Sequence, residues 1–253
     1  MPEVYVFKEK LGMGAAAARK GADLIRAALK ARGKAAVILA TGASQFEMMD
    51  SLVKENVDWS KVSLFHLDEY VGMPITHPAS FRKYLKERFV DKVGRVAAFH
   101  FVNGDAANPQ DECRRLGDLI RRESICAAFV GIGENAHLAF NDPPADFDTE
   151  EPFLVLELDA ACRGQQLGEG WFKTLADVPR HAISMSIQQI MKAQAIIVTV
   201  PDARKARALK DSLEGSVSNQ VPSSILQRHP ACYVYTDEAG AGLFSKAYLL
   251  RRP

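Results

Sequence analysis

The chain has 253 residues, of which 47% are hydrophobic and 25% are charged, a composition typical of an ordinary globular protein. Its 32 Lys and Arg residues stand against 31 Asp and Glu residues, and the net charge of +1 argues against a nucleic-acid partner held by bulk positive charge. No apolar run approaches roughly 18 residues, so we expect no membrane-spanning helix. The first residues do not resemble a signal peptide, and the four cysteines form no Cys-x-x-Cys pair, which predicts reduced thiols in a cytoplasmic protein.

Short apolar strands alternate with longer helical patterns along the chain. Strands are predicted at residues 35–40, 62–67, 97–101, 127–132, 153–158, 195–200 and 232–236. Helices are predicted at residues 14–32, 45–55, 80–89, 110–123, 203–213 and 223–227. Several strands are continuously apolar, as in a parallel sheet that is buried on both faces. The alternation predicts a single α/β domain over residues 1–253, with a three-layer, Rossmann-like, mostly parallel sheet and helices on both faces.

In open α/β sheets ligands bind beyond the carboxyl ends of the strands, so the segments after the strands carry the candidate sites. The strand at 35–40 is followed by Thr41, Gly42, Ala43 and Ser44 and then by a helix. Small residues let backbone N–H groups turn toward an anion, and the helix N-terminus adds partial positive charge. This pattern predicts a phosphate cradle, although a serine-capped ordinary turn fits the same residues equally well.

Two adjacent acids follow the strand at 62–67. Asp68 and Glu69 point in different directions, so they cannot form a dyad, and we expect Asp68 to face the ligand while Glu69 forms a salt bridge outward. Partial burial would raise the pKa of Asp68 toward that of a useful general base. A strand-end acid that caps the next turn is the alternative.

The densest polar cluster is the loop at residues 131–144, which follows the strand at 127–132. Its glycines superficially match a dinucleotide fingerprint, but two prolines cut off the helix that such a site requires, so no nucleotide cofactor is expected. The loop presents Asn135, His137 and Asp142, and a histidine beside a carboxylate is an acid–base pair. The Pro-rich acidic stretch 141–151 is predicted to be an exposed loop and a candidate active-site lid.

A metal centre is not expected from the sequence. His66, His77 and His137 come from separate segments and lack the spacings of known metal motifs. A Gly-x-Ser-x-Gly elbow is also absent, so a serine hydrolase is unsupported.

Three stretches together resemble the glucosamine-6-phosphate deaminase (isomerase) family. They are residues 41–44, the string Phe-His-Leu-Asp-Glu-Tyr-Val-Gly at 65–72 with His-Pro at 77–78, and the loop 131–143. Their order and separations match the family over nearly the whole chain. The 6-phosphogluconolactonases share the fold but usually lack the Asp-Glu-Tyr-Val-Gly string.

The resemblance implies a Rossmann-like sheet and a reaction that needs no metal and no cofactor. The family opens the ring of a hexosamine phosphate, moves a proton between C2 and C1 and releases ammonia, which gives fructose 6-phosphate. Asp68 falls on the proton-transfer base at C2, His137 on the ring-opening histidine and Asp142 on the partner of that histidine. The remaining positions carried over from the family bind phosphate: Gly42, Ala43, Ser44 and Lys205.

Four departures from the family pattern bear on these expectations. Asn135-Ala136 stands where the family usually has Asp-Gly, and Asn cannot accept a proton although it can hydrogen-bond. Asp142 replaces a glutamate, so contact with His137 is expected to need a backbone shift or a water. The family's phosphate-binding arginine is not evident, and Arg163 is the candidate substitute. The basic residues of an allosteric site have no counterpart in residues 144–151, so no such activation is expected.

Three functions remain open at this stage. The first is an amino-sugar-phosphate deaminase that acts through Asp68 and His137. The second is a 6-phosphogluconolactonase-type hydrolase, and the third is a sugar-phosphate-binding homologue without catalysis. The expected partner is a small-molecule sugar phosphate rather than a nucleic acid or a membrane, and a homo-oligomer is left open.

Overall fold

The computed structural model describes residues 1–249. Ten strands run in the order β1 (Glu3–Phe7), β2 (Ala35–Leu39), β3 (Val62–His66), β4 (Asp68–Tyr70), β5 (Ala98–His100), β6 (Ile125–Val130), β7 (Phe153–Glu157), β8 (His181–Met185), β9 (Ile196–Thr199) and β10 (Cys232–Asp237). Seven of them form one sheet in the order β1-β10-β9-β6-β2-β3-β5, and every neighbouring pair is parallel. The other three form a small antiparallel sheet in the order β4-β8-β7.

The helices connect these strands. They are α1 (Lys10–Arg32), α2 (Phe46–Leu52), α3 (Phe81–Leu85), α4 (Asp91–Val93), α5 (Pro109–Ile120), α6 (Ala160–Gly168), α7 (Ile187–Met191), α8 (Ala206–Glu214) and α9 (Lys246–Leu249). Short 3-10 segments stand at Ala43–Gln45, Trp59–Lys61, Leu175–Asp177, Ala203–Lys205 and Pro222–Arg228, and a π turn stands at Lys86–Val90. Along residues 1–249 no helix has both the length and the apolarity needed to cross a bilayer.

Two separate cores lie on opposite faces of the large sheet. Val37 and Leu39 of β2 pack with Met13 of α1 and Met48 of α2. Ile38, between them in sequence, packs on the other face with residues of α5, α7 and α8. Because successive side chains of a strand point to opposite faces, this fully buried strand needs apolar residues at every position. The predicted three-layer α/β architecture with helices on both faces is confirmed.

The antiparallel sheet is where the structure departs most from the sequence-based expectation. The strand predicted at 153–158 exists as β7, but it pairs with β8 outside the parallel sheet. An apolar run alone does not show which sheet it joins, and neither β4 nor β8 was predicted. β1 and α6 were also not predicted. The helix predicted at 80–89 is instead α3 followed by the π turn, and the one predicted at 223–227 is a 3-10 segment.

The small sheet controls the position of the first candidate acid. The chain leaves β3 at His66 and, after Leu67, enters β4 at Asp68, which pairs with Ser184 of β8. Leu67 still donates its backbone N–H to Leu39 of β2 at 3.2 Å. Asp68 therefore lies where the large sheet ends and the small sheet begins, at the carboxyl end of β3.

Candidate active site

One cleft opens at the carboxyl ends of β2, β3, β6 and β9. It encloses about 510 Å³ including its open mouth. Six of the residues singled out from the sequence line it: Thr41, Gly42, Ser44, Asp68, His137 and Lys205. The structure therefore brings the three predicted motif regions to one place, as expected for parallel strands whose ends share one edge of a sheet.

The loop after β2 makes a tight turn at the edge of the cleft. Gly42 has a φ of 96° and a ψ of 167°, a conformation that side-chain-bearing residues rarely adopt, and it leads into the 3-10 segment Ala43–Gln45. The hydroxyl of Tyr84 donates to the carbonyl of Gly42 at 3.2 Å and holds the turn. Ser44 lines the cleft, whereas Ala43 belongs to the turn without lining it.

Lys205 approaches the cleft from a second turn of the same form. The 3-10 segment Ala203–Lys205 follows β9 as Ala43–Gln45 follows β2, and Asp202 takes the place of Gly42 with a φ of 80°. Lys205 is only 6% exposed. Burial lowers the pKa of its ammonium, an effect that the nearby charges of Glu169 and Glu134 oppose. Among the described residues that line the cleft, Lys205 is the only cation.

Asp68 is a buried carboxyl whose neighbours favour its neutral form. It is 6% exposed, and burial together with the charge of Glu69 raises its pKa from 3.8 to about 8. A carboxyl with a pKa near the working pH can take up a proton and give it back, which suits general acid–base chemistry.

Glu69 forms the expected salt bridge, with Arg82 Nε at 3.8 Å, but contrary to expectation it does not point outward. It is fully buried, and its carboxylate accepts hydrogen bonds from the Tyr70 backbone N–H at 3.0 Å and from the Ser80 hydroxyl at 2.8 Å. The Arg82 backbone N–H donates to it at 2.9 Å. Since Ser80 caps α3, Glu69 ties the strand that carries Asp68 to the start of that helix.

His137 and Asp142 are in direct contact. The distance from His137 Nδ1 to Asp142 Oδ1 is 3.1 Å, so the shorter acid reaches the histidine without a bridging water, one of the two expected alternatives. Burial alone would raise the pKa of Asp142, but hydrogen bonds from His137, Asn135 and the Asp159 backbone N–H outweigh it and lower the pKa. An ionised Asp142 holds the proton on Nδ1 and leaves Nε2 as the free nitrogen of the imidazole.

Asn135 lies behind this pair. Its amide donates to Asp142 at 2.9 Å and to Asp159 at 3.2 Å, and its carbonyl oxygen accepts from the His137 backbone N–H at 3.1 Å. An aspartate in this position could not donate to either acid. Asn135 therefore organises the pair without lining the cleft.

The absence of a side chain at Gly133 leaves room for the His137 imidazole. A Cβ on Gly133 would lie 2.3 Å from Nε2 of His137, closer than real contacts allow. Ala136 occupies the left-handed region with a φ of 66°, where the resembled family usually has glycine.

Helix α6 supplies a wall of the cleft that sequence reasoning missed. Gln165, Gln166 and Glu169 line the cleft, and the Tyr70 hydroxyl donates to Gln166 at 2.6 Å. The available signal was Asp159, whose side chain caps the helix by accepting from the Cys162 backbone N–H at 2.5 Å.

The structure does not bring Arg163 to the cleft. Although it belongs to α6, its guanidinium donates to the backbone carbonyls of Leu175 at 2.6 Å and Val178 at 3.0 Å, and it lines a second cavity behind Asp142. A helix turns about 100° per residue, so Arg163 lies roughly 200° around α6 from Gln165, which lines the cleft. Part of the predicted lid, residues 141–146, also lines that second cavity rather than the cleft.

Known proteins are similar to this chain in sequence and in fold over most of their length. A family model described as glucosamine-6-phosphate isomerases/6-phosphogluconolactonase matches residues 8–234. A glucosamine-6-phosphate deaminase of Bacillus cereus (strain G9842) is 33% identical over 230 residues, which cover 91% of this chain and 86% of that protein. One of Exiguobacterium sibiricum is 37% identical over 207 residues, with coverages of 82% and 80%.

Solved structures give the same result. A monomeric glucosamine-6-phosphate deaminase superposes with a TM-score of 0.85 at 28% identity, over 95% of this chain and 99% of that one. A 6-phosphogluconolactonase from Thermotoga maritima superposes with a TM-score of 0.77 at 14% identity, over 94% and 99%, a likeness of fold alone. The chain belongs to the family of glucosamine-6-phosphate isomerases and 6-phosphogluconolactonases.

Proposed function

We propose that this chain is a glucosamine-6-phosphate deaminase that converts the amino-sugar phosphate to fructose 6-phosphate and ammonia. The observation that carries this proposal is the presence, in one cleft, of a carboxyl with a pKa of about 8, a carboxylate-supported histidine and a buried lysine beside an anion cradle. The curated relatives named above bear the name of this activity.

The phosphate is bound at the end of the cleft that holds Lys205. The N–H groups of the turn at 42–44, the hydroxyls of Thr41 and Ser44 and the Lys205 ammonium together offer donors to one phosphate. Burial strengthens the attraction between the Lys205 ammonium and the phosphate, because a poorly solvated ammonium gains more from an anionic partner. We expect Arg163 to play no part.

His137 opens the sugar ring. Its free Nε2 accepts the proton of the C1 hydroxyl, and the resulting imidazolium, stabilised by Asp142, returns a proton to the ring oxygen as the C1–O5 bond breaks. Asn135 contributes by holding the Asp142 carboxylate in place.

Asp68 moves the proton between the carbons of the open chain. Its carboxylate removes the proton from C2, and the resulting carboxylic acid delivers it to C1. In the same rearrangement the aldehyde oxygen gains a proton and the amine nitrogen loses one, which leaves a hydroxyl at C1 and an imine at C2. Water adds to that imine and ammonia leaves, so one water is consumed and Asp68 ends in its starting state. In this sense the enzyme is both an isomerase and a hydrolase.

The test is release of ammonia and fructose 6-phosphate from glucosamine 6-phosphate by the purified chain. Asp68→Asn and His137→Asn should each lower kcat by about 10²–10⁴-fold, because each loses its proton-transfer group. Asp118→Asn, an exposed acid on α5, is the matched control and should retain full activity. Turnover by Asp68→Asn at the wild-type rate would reject the assignment.

A 6-phosphogluconolactonase is the second candidate, and a specific observation favours it. Below pH 8 the raised pKa keeps most Asp68 neutral, so the His137–Asp142 pair is the acid–base system ready to activate water. Lactone hydrolysis that requires His137 but survives Asp68→Asn would identify this activity. Binding of sugar phosphates without either turnover would instead indicate a non-catalytic homologue.

A further inference from the structure

A cluster of three metal-ligand types lies on the far side of His137 from the cleft. The ligand atoms of His137, Asp142 and Cys162 all lie within 4.8 Å of one another. Two of these residues come from the loop at 131–144 and the third from the first turn of α6. We propose that they form a binding site for a thiophilic divalent cation such as Zn²⁺, and that its occupation inhibits the enzyme.

The geometry is close to what such an ion needs. Zinc binds His nitrogen and carboxylate oxygen at about 2.0–2.1 Å, which places two ligands of a tetrahedral site roughly 3.3 Å apart. His137 Nδ1 and Asp142 Oδ1 are 3.1 Å apart without an ion. The three ligand atoms lie within 4.8 Å of one another without an ion. The Cys162 sulfur must therefore move about an ångström closer to the other two before a shared ion can lie at the Zn–S distance of about 2.3 Å.

The Cys162 sulfur lies beside the other two ligand atoms, and the proposed deaminase reaction gives this residue no role. It is fully buried, and its backbone N–H is fixed to the Asp159 carboxylate at 2.5 Å. Burial, followed by the charges of Asp142 and Asp159, raises the pKa of the thiol well above its ordinary value, so the free thiol is a poor nucleophile. A metal ion removes that barrier, because it supplies the positive charge that the thiolate lacks.

A cavity separate from the cleft borders the cluster at Asp142. Asp142 lines the second cavity, and the carboxylates of Asp146, Glu157 and Asp159 also line it. These acids favour the approach of a cation to Asp142. Two arginines, Arg163 and Arg180, also line this cavity. The guanidinium of Arg163 is already hydrogen-bonded to backbone carbonyls.

Binding of the Zn²⁺ ion releases one proton from the protein. The Cys162 S–H bond breaks as the S–Zn bond forms, and the proton leaves to solvent. The imidazole stays neutral, but its proton moves from Nδ1 to Nε2 because Nδ1 becomes the ligand. With a proton on Nε2, His137 cannot accept one from a substrate hydroxyl, so the occupied enzyme is inactive.

The first test measures binding and needs no activity. The purified full chain is titrated with zinc sulfate by calorimetry, and with Co²⁺ to detect thiolate-to-cobalt charge transfer in the near ultraviolet. We expect one strong site per chain with that absorption band. Cys162→Ser should abolish the band and weaken binding by about 10–100-fold, whereas Cys113→Ser, a partly buried thiol on α5, should leave both unchanged.

A second variant guards against a fold defect in the first. His137→Asn should weaken Zn²⁺ binding while it keeps the charge-transfer band of the bound Co²⁺. Absence of binding by the wild-type chain, or equal affinity in Cys162→Ser, would overturn the proposal, since either result places zinc elsewhere.

The inhibitory part rests on the proposed function, and its test is separate. Zn²⁺ should stop ammonia release by the wild-type and Cys113→Ser chains, and a chelator should restore it. Cys162→Ser should need at least tenfold more Zn²⁺ relative to its own uninhibited rate. A chain that binds zinc but releases no ammonia would sink the deaminase assignment and leave the site, whereas zinc-insensitive turnover despite full occupancy would overturn the inhibition.

Discussion

Asn135 holds two carboxylates together behind His137. Asp142 and Asp159 both accept from its amide, at 2.9 and 3.2 Å, and Asp142 also accepts from the Asp159 backbone N–H at 3.0 Å. The residue that departs from the family pattern is thus matched to its surroundings, because two neighbouring acids call for a donor at this position.

Asn135→Asp should therefore damage this chain although it restores the usual family residue. The new carboxylate would face two others, and their repulsion would raise the pKa of the cluster and destabilise the fold by about 1–3 kcal/mol at pH 7. Urea unfolding at pH 5 and 8 is the measurement, and the loss should be larger at pH 8, where more of the carboxylates are ionised. A stabilised variant would show that the hydrogen bonds described here do not govern this position.

Gly133→Ala tests the space that the imidazole occupies. The added Cβ would meet the Nε2 end of the His137 ring at 2.3 Å, so the ring must leave its present position. We expect a loss of kcat of at least about tenfold in ammonia release, with KM for the sugar phosphate little changed because the phosphate donors are untouched.

Gly164→Ala is the matched control, since a Cβ there meets nothing within 4 Å. It should leave kcat unchanged and, as a helix-interior glycine, stabilise the protein slightly. Equal kcat in the wild-type and Gly133→Ala chains would contradict the role of this close contact.

At the scale of elements, six of the seven strands of the parallel sheet were predicted from the sequence, whereas β1 and two strands of the small sheet, β4 and β8, were not. β2 and β6 are buried at every position, so their continuous apolar runs carry a strong signal. β4 has three residues, and its sequence Asp-Glu-Tyr gives no apolar pattern because both acids are buried by tertiary contacts. β4 therefore exists through its pairing with β8 and through the anchoring of Glu69.

Glu69→Gln tests that anchor. One carboxylate oxygen accepts from the Tyr70 backbone N–H and the other from the Ser80 hydroxyl and the Arg82 backbone N–H. Glutamine has one acceptor oxygen, so a buried donor loses its partner, and the free energy of unfolding should fall by about 1–3 kcal/mol in urea titrations.

Glu87→Gln, a change at an exposed glutamate nearby, should stay within about 0.5 kcal/mol of wild type. If the two variants have equal stability, the buried network contributes nothing. The sequence could not predict this anchor, because the partners are 11 and 13 residues away and meet Glu69 only after β4 and α3 have packed.

At the scale of the whole molecule, the topology of the parallel sheet explains why the motif regions meet in one cleft. Residues 41–44, Asp68, the loop at 131–144 and Lys205 each follow a strand, and parallel strands end at one edge. Arg163 could not be placed in this way, because its direction depends on the rotation of α6, which no strand register determines. The acid-rich cavity behind Asp142 also depends on where β7 lies, and the sequence left that open.

The burial of Asp68 should reduce the stability of the whole molecule as the pH rises. Its pKa of about 8 in the folded state lies above the ordinary 3.8, so between about pH 4 and pH 8 the folded chain holds a proton that the unfolded chain has lost. The free energy of unfolding then falls as the pH rises through this window, by up to about 1.4 kcal/mol per pH unit. The loss is absent below pH 4 and complete above pH 8.

Asp68→Asn removes this penalty because an amide stays neutral at every pH. The variant should exceed the wild-type stability by a margin that grows from pH 5 to pH 9 and reaches several kcal/mol, even though it loses the proposed base. Urea unfolding of both chains at pH 5, 7 and 9 gives this difference, and titrating groups that do not interact with Asp68 cancel in it. For the exposed acid in Asp118→Asn the difference should stay near zero throughout. A stability gain from Asp68→Asn that does not change with pH would mean that Asp68 is already ionised in the folded chain, so that its burial does not tune it as a base.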